Sequence, residues 1–233
     1  MSTKRSKRYS AAAKMVDTTK GYAVEEAVEL MKSLPAPKFD PTVTVSFHLT
    51  VDPRKSDQMV RGSVALPHGT GKNVRVIVFA QGEAAQAALD AGAEKVGLED
   101  LIKEIQGGFL DFDSAIATPG AMAQVRKIAR ILGPRGLMPN PKTGTVTEDT
   151  AKAVREVKAG RVDYKVDKNA NISAAIGKLS FDADKLTENA RAFIASVVKA
   201  RPSGAKGAYI ASATIASSMN PGLELAQAEY SKL

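Results

Sequence analysis

The sequence contains no cysteine and only two histidines, His48 and His68. Without cysteine, the chain can form no disulfide and has no thiolate chemistry or cysteine-bound zinc. Neither histidine has a second histidine at the spacing of a metal site, and no Gly-x-Ser-x-Gly elbow for a catalytic serine occurs. We therefore expect no metal, no cofactor and no catalytic residue.

Long apolar runs are also missing. None approaches the ~20 residues that a membrane-spanning helix needs. The first residues, MSTKRSKRYSAAAK, are basic but lack the apolar segment of a secretory signal. We therefore expect a cytoplasmic protein without a membrane partner, and the lack of cysteine fits that compartment.

The stretch VALPHGTGKNVRVIVFA, residues 64–80, looks at first like a phosphate-binding loop. A P-loop follows its strand, has a glycine five positions before the Gly-Lys pair and places Ser or Thr after the lysine. Here Leu66 replaces that glycine, Asn73 follows Lys72, and the apolar strand comes after the loop. The stretch therefore favours a flexible joint over an ATP site. Its hinge residues would be His68, Gly69 and Gly71.

Positive charge is concentrated at the two ends of the sequence. The net charge of +8 and the pI of about 9.6 favour a polyanionic partner, nucleic acid first. Residues 1–67 hold 11 basic and 7 acidic side chains, and residues 160–233 hold 10 and 7. Residues 68–159 are nearly balanced, with 12 and 11. The outer thirds are thus the better candidate surface, unless their charges merely solvate helix faces.

Hydrophobic periodicity also divides the chain into thirds. Residues 42–50 alternate strictly between apolar and polar, which predicts a strand with one buried and one solvated face. The middle third begins with the nearly continuous apolar run NVRVIVFA and then alternates helix and strand, as in doubly wound α/β units. Within it, Thr118 is predicted to cap a helix that runs to Leu132, and Asp182 a long helix in the last third.

We predict an α/β protein of two domains. Each outer third has few strands and is marginal alone, so residues 1–67 and 160–233 are expected to fold together as one discontinuous domain. Residues 68–159 would then be an inserted α/β domain, joined by linkers at residues 66–72 and near 159–162, where Gly160 is a further hinge residue. Three consecutive units remain an alternative.

Two loops of the first third offer side chains for RNA. Lys38 and Phe39 lie in a proline-rich loop, where an aromatic ring stacked on a base contributes about 1–3 kcal/mol. The alternative is a ring packed onto the core. The segment DPRKSDQMVRG supplies Arg54, Lys55 and Arg61, whose charges suit phosphates, with a solvated hairpin as the alternative.

The last strand carries hydroxyls suited to RNA. Ser212 and Thr214 share one face, and Ser218 and Met219 lie at the strand's end. Such side chains fit 2′-OH and sugar contacts, although an exposed polar strand explains them equally well. The middle third has a secondary basic patch with no acid between Asp113 and Glu148. Its members are Arg126, Lys127, Arg130, Arg135 and Lys142.

Three strings, DPRKSDQMVRGSVALPHGTGKNVRV, GPRGLMPNPKTGTVT and KAGRVDYKVDKN, are more specific than these patterns. In order and spacing they closely resemble the bacterial large-subunit ribosomal protein one family, the protein of the mobile lateral stalk, over nearly the whole chain. The resemblance implies a discontinuous two-layer α/β RNA-binding domain (α+β) and an inserted three-layer Rossmann-like α/β domain.

The resemblance also implies a function without catalysis. The family binds a three-way junction in large-subunit rRNA, helps deacylated tRNA leave the exit site, and represses translation of its own mRNA through a site that mimics the rRNA. The implied partners are this rRNA, exit-site tRNA, the chain's own mRNA and other ribosomal components of the cytoplasmic ribosome. The free protein would be a monomer.

The family's RNA contacts match several positions of this chain. The implied contact residues are Lys38, Phe39, Arg54, Asp167, Lys168, Ser212, Thr214, Ser218 and Met219. The family commonly ends the last strand with Thr-Met-Gly, whereas this chain has Ser218, Met219 and Asn220. Glycine permits a positive φ and close backbone approach, so a backbone contact at Asn220 is in doubt.

Two other classes of function stay open at this point. An enzyme that binds a nucleotide in the middle domain rests on fold style alone, because FAQGEAAQ has one glycine where a dinucleotide fold has Gly-x-Gly-x-x-Gly. A general basic DNA-binding protein is the third reading of the charge.

Overall fold

The computed structural model describes residues 5–55, 57–205 and 207–231. The chain divides into two compact units. The outer unit consists of Met1–Gly71 with Val162–Leu233, and the inner unit is Lys72–Arg161. The two ends of the sequence thus share one unit, and the joints lie a few residues after the domain boundaries that charge and composition suggested.

The helices are α1 (Lys7–Met15), α2 (Val24–Ser33), α3 (Glu83–Asp90), α4 (Glu99–Gln106), α5 (Met122–Val125), α6 (Ala129–Leu132), α7 (Thr150–Lys158), α8 (Ala183–Lys199) and α9 (Ala228–Ser231). The strands are β1 (Thr42–Leu49), β2 (Arg61–Ala65), β3 (Val76–Phe79), β4 (Lys95–Gly97), β5 (Ser114–Ala117), β6 (Arg161–Lys165), β7 (Asn171–Lys178), β8 (Ile210–Ser217) and β9 (Leu223–Glu224). Short 3₁₀ turns occupy Arg126–Ile128 and Pro141–Thr143.

The main sheet of the outer unit has the strand order β7–β1–β8–β9 and is antiparallel. Alternate side chains of β1 are buried, which confirms the periodicity of residues 42–50. Their partners in the core include the buried faces of α2 and α8. One face of the sheet is therefore covered by helices, and the polar side chains of β1 lie on the other.

Helix α8 contributes the predicted apolar stripe to this core. Leu186, Ala190, Phe193 and Val197 are all buried, because a spacing of three or four residues places them on one helix face. The Phe193 ring lies 5.5 Å from that of Phe47, centroid to centroid. Burying such a ring stabilises the fold by roughly 1.5–3 kcal/mol.

Asp182 occupies the N-cap position of α8, but its side chain makes no capping hydrogen bond. Its carboxylate instead pairs with Lys185 at 2.8 Å, one helical turn away. This ion pair is the main reason that the pKa of Asp182 is lowered. The predicted position of the N-cap is therefore confirmed, but the capping hydrogen bond is not formed.

The inner unit has a parallel sheet of order β4–β3–β5. All four residues of β3 are buried, since helices cover both faces. Val76 and Val78 pack with buried residues of α3 and α7, whereas Ile77 and Phe79 pack with those of α4, α5 and α6. The inner unit is therefore a three-layer α/β arrangement, as its continuous apolar run predicts.

The continuous helix predicted after Thr118 is wrong. The segment is broken into α5, the 3₁₀ turn Arg126–Ile128 and α6. Thr118 makes no cap, since its backbone carbonyl accepts from the amide of Ala121 in a turn before α5. Val125 and Ile128 are both buried, and a 3₁₀ turn aligns side chains three residues apart.

The basic arm of residues 2–14 contains a helix that the sequence analysis missed. In α1, the hydroxyl of Ser6 caps the helix by accepting from the amide of Tyr9 at 3.2 Å. Ala12 is fully buried in the outer core, so the helix is packed against the unit. A serine followed by a run of alanines was the available signal. Residues 2–4 lie outside the part of the chain that the structure describes.

Among the described residues, no helix is long and apolar enough to cross a membrane.

Candidate RNA interface

The polar face of the outer sheet forms an open depression of about 400 Å³. Its centre is β1, where Ser46 meets Ser173 of β7 through their hydroxyls at 2.7 Å. One step along, His48 Nδ1 lies 2.8 Å from Asn171 Oδ1. The strand register places Thr214 beside Ser46 and Ser212 beside His48. Asp167 also lines the depression.

The sequence analysis missed four side chains of this depression. These are Ser46, His48, Asn171 and Ser173. The alternation along residues 42–50 already placed the first two on the solvated face. Their proximity to Ser212 depends on the pairing of β1 with β8, which joins residues far apart in the sequence. Their polar groups give the surface hydroxyl, imidazole and amide partners for a ligand.

At the His48 end of β1, Asp167 organises a tight turn between β6 and β7. Its Oδ1 accepts from the amides of Asn169 at 2.8 Å and Asn171 at 2.7 Å. The hydrogen bond from the Asn171 amide is the largest cause of the lowered pKa of Asp167. The carboxylate therefore stays ionised and fixes the turn, whose exposed residue Lys168 is presented to solvent.

Arg54 and Lys55 follow the same end of β1 and are exposed. The amide of Arg54 donates to Asp52 Oδ1 at 3.1 Å, which holds the turn while its guanidinium faces solvent. Arg61 is half-buried, and its guanidinium lies 3.6 Å from the sulfur of Met59. Positive charge is thus gathered beyond the His48 end of the strand.

At the opposite end of β1, Phe39 is 52% exposed and does not belong to the core. The alternative that its ring packs into the core is therefore wrong. Asp40 anchors this loop, because its carboxylate accepts from the amide and hydroxyl of Ser180 at 3.2 and 2.8 Å. Lys38 beside it is exposed. An anchored loop that presents a bare aromatic ring can offer it to a base.

The turn after β8 lies near the same end. The amide of Ser218 donates to the carbonyl of Thr42 at 3.0 Å. Met219 is 68% exposed and has a φ of 65°. Among the described residues, the left-handed position is thus Met219, and Asn220 has no positive φ. Asn220 instead donates from its side chain to Ser217 Oγ at 2.9 Å.

The structure therefore brings the predicted contact residues of the outer unit to the two ends of one sheet face. Thr42 and His48 are six residues apart on β1, which corresponds to roughly 20 Å. Phe39 and Met219 lie at the first end, and Asp167 and Ser212 at the second. We call this surface the RNA face. The residues that the sequence analysis predicts to contact RNA there are Lys38, Phe39, Arg54, Asp167, Lys168, Ser212, Thr214, Ser218 and Met219.

The basic patch of the inner unit lies on the 3₁₀ turn, on α6 and in the loop that follows. Its described side chains are exposed. These are Arg126, Lys127, Arg130 and Arg135. The side chain of Lys142 lies outside the described part. The patch is therefore local and solvent-facing on a unit that is nearly neutral overall.

Part of the predicted hinge is tied to α8. The buried amide of Asn189 donates to the carbonyl of Gly69 at 2.9 Å and accepts from the amide of His68 at 3.1 Å. His68 Nε2 also lies 2.6 Å from a carboxylate oxygen of Glu188. Gly71 has a φ of 69°, and a side chain there would press on Phe181. Residues 68–69 are thus held within the outer unit.

The remaining hinge residue, Gly160, follows α7 with a φ of 106°. Lys72, the lysine of the Gly-Thr-Gly-Lys string, is paired with Asp113 at 2.6 Å. This ion pair is the main cause of the lowered pKa of Asp113. The strand β3 follows the loop, contrary to P-loop order. Across the described residues, no group of three His, Asp or Glu could hold a metal ion.

Comparisons with known proteins all point to one family. A model of the Ribosomal protein L1p/L10e family matches residues 30–221. The large ribosomal subunit protein uL1 of Saccharopolyspora erythraea is 58% identical over 220 residues, covering 94% of this chain and 92% of that protein. That of Lactobacillus delbrueckii subsp. bulgaricus is 54% identical over 222 residues, covering 95% and 96%. That of Mycobacteroides abscessus is 56% identical over 223 residues, covering 96% and 95%.

The fold and the matches together define a structural RNA-binding protein of the large ribosomal subunit, and not an enzyme. The chain belongs to the Ribosomal protein L1p/L10e family. Its place is accordingly the ribosome of the bacterial cytoplasm, with large-subunit rRNA as its partner.

Proposed function

We propose that the RNA face binds a three-way junction of large-subunit rRNA at the lateral stalk. The observation that carries this proposal is the arrangement of the face. A hydroxyl-rich sheet surface is bounded by exposed Phe39 and Met219 at one end and by exposed Arg54 and Lys168 at the other. Such a surface suits folded RNA, which is recognised largely by its shape, its 2′-hydroxyls and its phosphates.

Each end has its own role in this proposal. Phe39 stacks on an unpaired base, and Met219 packs against a sugar. Lys38, Arg54 and Lys168 neutralise phosphates. Asp167 acts through the turn that presents Lys168, since its own carboxylate is engaged by backbone amides.

The strand hydroxyls between the two ends distinguish RNA from DNA. Ser212, Thr214 and Ser218 donate to or accept from 2′-OH groups, which DNA lacks. The hydroxyl pair Ser46 and Ser173 extends this row across β1 and β7. Specificity then comes from the shape of the junction more than from base edges.

We further propose that the inner unit makes a second and weaker contact with RNA, including tRNA in the exit site. Its exposed patch of Arg126, Lys127, Arg130 and Arg135 supports this. The joints near Gly71 and Gly160 let the inner unit move while the outer unit stays on rRNA, which assists release of deacylated tRNA. Because residues 68–69 are bound to α8, movement begins beyond them.

A third part of the proposal is repression of the chain's own mRNA. A messenger segment that mimics the rRNA junction would occupy the same RNA face. Free protein, a monomer, would bind it only after rRNA sites are filled. The same contact residues then serve both RNAs, and excess rRNA relieves repression.

The test is binding to a stalk-junction rRNA fragment across a salt series, with duplex DNA and unrelated structured RNA as competitors. Tight binding that survives competition, with a log–log salt slope of several units, is expected. Equal and loose binding to every polyanion would contradict junction recognition and favour a general basic DNA-binding protein. Adding an mRNA leader fragment as a competitor tests repression, because it should displace the rRNA fragment fully.

A further inference from the structure

Arg8 of α1 holds two segments that bound the RNA face. Its Nη1 donates to the carbonyl of Pro35 at 2.9 Å and also to Asn220 Oδ1. Its Nη2 donates to the carbonyl of Met219. One guanidinium therefore joins the N-terminal helix, the start of the loop that leads to Phe39, and the turn after β8.

Both segments present exposed apolar side chains that lie outside the core. Met219 has a left-handed backbone, which is costly for a residue with a Cβ. Its side chain is 68% exposed, so packing of that side chain does not hold the turn. Phe39 is 52% exposed and lies four residues after Pro35. The hydrogen bonds of Arg8 supply an attachment that neither side chain supplies itself.

The anchor of this attachment is α1. The helix is fixed by buried Ala12 and by the Ser6 cap, so the guanidinium starts from a packed element. A planar guanidinium can serve several acceptors at once, whereas a lysine ammonium is a point charge without that fixed geometry. Since its donors face protein oxygens, Arg8 is poorly placed to hold a phosphate. The groove of about 350 Å³ beside it is lined by Arg5, Tyr9 and Met219 among others.

We propose that Arg8 is a positioning residue of the RNA face. It holds the Met219 turn and the Phe39 loop in one geometry before RNA arrives, so both side chains meet the RNA without being ordered by it. Preorganisation of this kind raises affinity by lowering the ordering cost of binding. The inference rests on the proposed function, in which Phe39 and Met219 contact RNA.

The test uses Arg8→Gln and Arg8→Lys, with Lys7→Gln as the matched control. Lys7 is an exposed cation on the same helix, so its loss removes the same charge. Each full-length variant is titrated with the stalk-junction rRNA fragment across the salt series. Each free variant is also examined by NMR of ¹³C-methyl methionine, with the Met219 methyl assigned from Met219→Leu.

Both Arg8 variants should bind the fragment about tenfold more weakly with the wild-type salt slope. In the free protein, their Met219 methyl resonance should shift and change its line width. Lys7→Gln should leave that resonance in place. Melting curves test whether each α1 variant stays folded. If Arg8→Gln does not fold, Arg8→Lys, which keeps the charge, serves as the test variant.

Two results would overturn the proposal. One is an unchanged Met219 methyl resonance in both Arg8 variants. The other is an affinity loss in Arg8→Gln that comes with a salt slope reduced by about one and is restored by Arg8→Lys, because Arg8 is then a phosphate contact. If the wild-type protein does not bind the junction fragment specifically, the proposed function itself is refuted. If the wild type binds the fragment but the Met219 methyl resonance is unchanged in both Arg8 variants, only this inference is refuted.

Discussion

The two units use their sheets in opposite ways. In the outer unit, β1 buries alternate side chains and leaves Ser46 and His48 on an open polar face. In the inner unit, all of β3 is buried between two helical layers. A ligand can therefore lie on the open sheet face of the outer unit, whereas the central strand of the inner sheet is covered on both faces.

The distribution of charge follows this difference. The outer thirds of the sequence carry most of the net positive charge, and the exposed cations Arg54 and Lys168 lie beside the open face. In the inner unit, Lys72 is paired with Asp113, and the exposed cations of the basic patch lie on a unit that is nearly neutral overall. We therefore propose that the outer unit carries the main RNA contact.

The largest expected effect is on the stability of the outer unit alone. Asn189 is fully buried, and its amide serves His68, Gly69 and Ile176. Asn189→Leu leaves the buried carbonyl of Ile176 and the part-buried backbone groups of His68 and Gly69 without this partner, so it should lower the free energy of unfolding of this unit by about 3 kcal/mol. Hydrogen exchange should rise in α8 and not in β3.

The control for this variant is Asn169→Ala, which removes an exposed amide from a turn. Its exchange pattern should match that of the wild type. Equal destabilisation of both units by Asn189→Leu would mean that they unfold together. The two units would then not differ in stability.

Phe39→Ala should have the largest effect on RNA binding. The ring is half exposed and outside the core, so its loss costs stacking without creating a cavity. Affinity for the junction fragment should fall about 30-fold, within the 1–3 kcal/mol range of base stacking. The melting temperature should stay within about one degree of the wild type.

Leu89→Ala is a suitable control, because Leu89 is an exposed apolar residue of the inner unit. It should leave RNA affinity unchanged. A fall in the melting temperature of Phe39→Ala would show that the Phe39 ring stabilises the fold.

The exposed cations should show a smaller and salt-dependent effect. Lys168→Gln should reduce the log–log salt slope by about one and weaken binding roughly fivefold, as expected when one phosphate contact is lost. Arg130→Gln, in the patch of the inner unit, should change both quantities less. A larger loss of RNA affinity from Arg130→Gln than from Lys168→Gln would mean that the inner unit makes the main RNA contact.

The smallest effect concerns acid stability of the inner unit. Lys72 lowers the pKa of Asp113, followed by the amide and side chain of Arg75. A carboxyl with a lowered folded-state pKa stabilises the fold above its unfolded pKa of about 3.9 and loses that contribution as pH falls towards the lowered value. Because Lys72 is largely exposed, the contribution should be under about 1 kcal/mol.

Denaturation of the wild type and of Asp113→Asn at pH 7 and pH 3 measures this contribution. The two proteins should differ most at pH 7, and the difference should shrink at pH 3, with the effect confined to the inner unit. A difference of the same size at both pH values would assign the role of Asp113 to packing instead of charge.

Much of the fold follows from local patterns. The alternation in residues 42–50 and the apolar spacing in α8 predicted both which faces are buried and which are solvated. The failures lie where tertiary contacts override local preference. The segment after Thr118 has a helical pattern but contains a 3₁₀ turn, and its residues Val125 and Ile128 pack in one core with residues of β3 and β5. Helix α1 has a local signal in Ser6 and its alanine run, but the burial of Ala12 in the outer core is a tertiary contact.

The candidate site divides in the same way. Phe39, Arg54 and Lys168 were predicted from residue type and from strings that resemble a family, and solvent exposure of each agrees with a binding role. His68 and Gly69 were predicted as hinge residues from the loop within residues 64–80, whereas the structure ties both to Asn189. No pattern within a single segment reveals a hydrogen bond across more than a hundred residues of chain.

By itself, the sequence determined the charge, the solvated faces of strands and helices, and the family of the chain, because each depends on residue identity and short-range order. Only the tertiary structure decided that Ser46 and His48 lie beside Thr214 and Ser212, and that Arg8 reaches Met219. Those contacts depend on strand register and on the docking of α1, which are set by packing of the whole outer core.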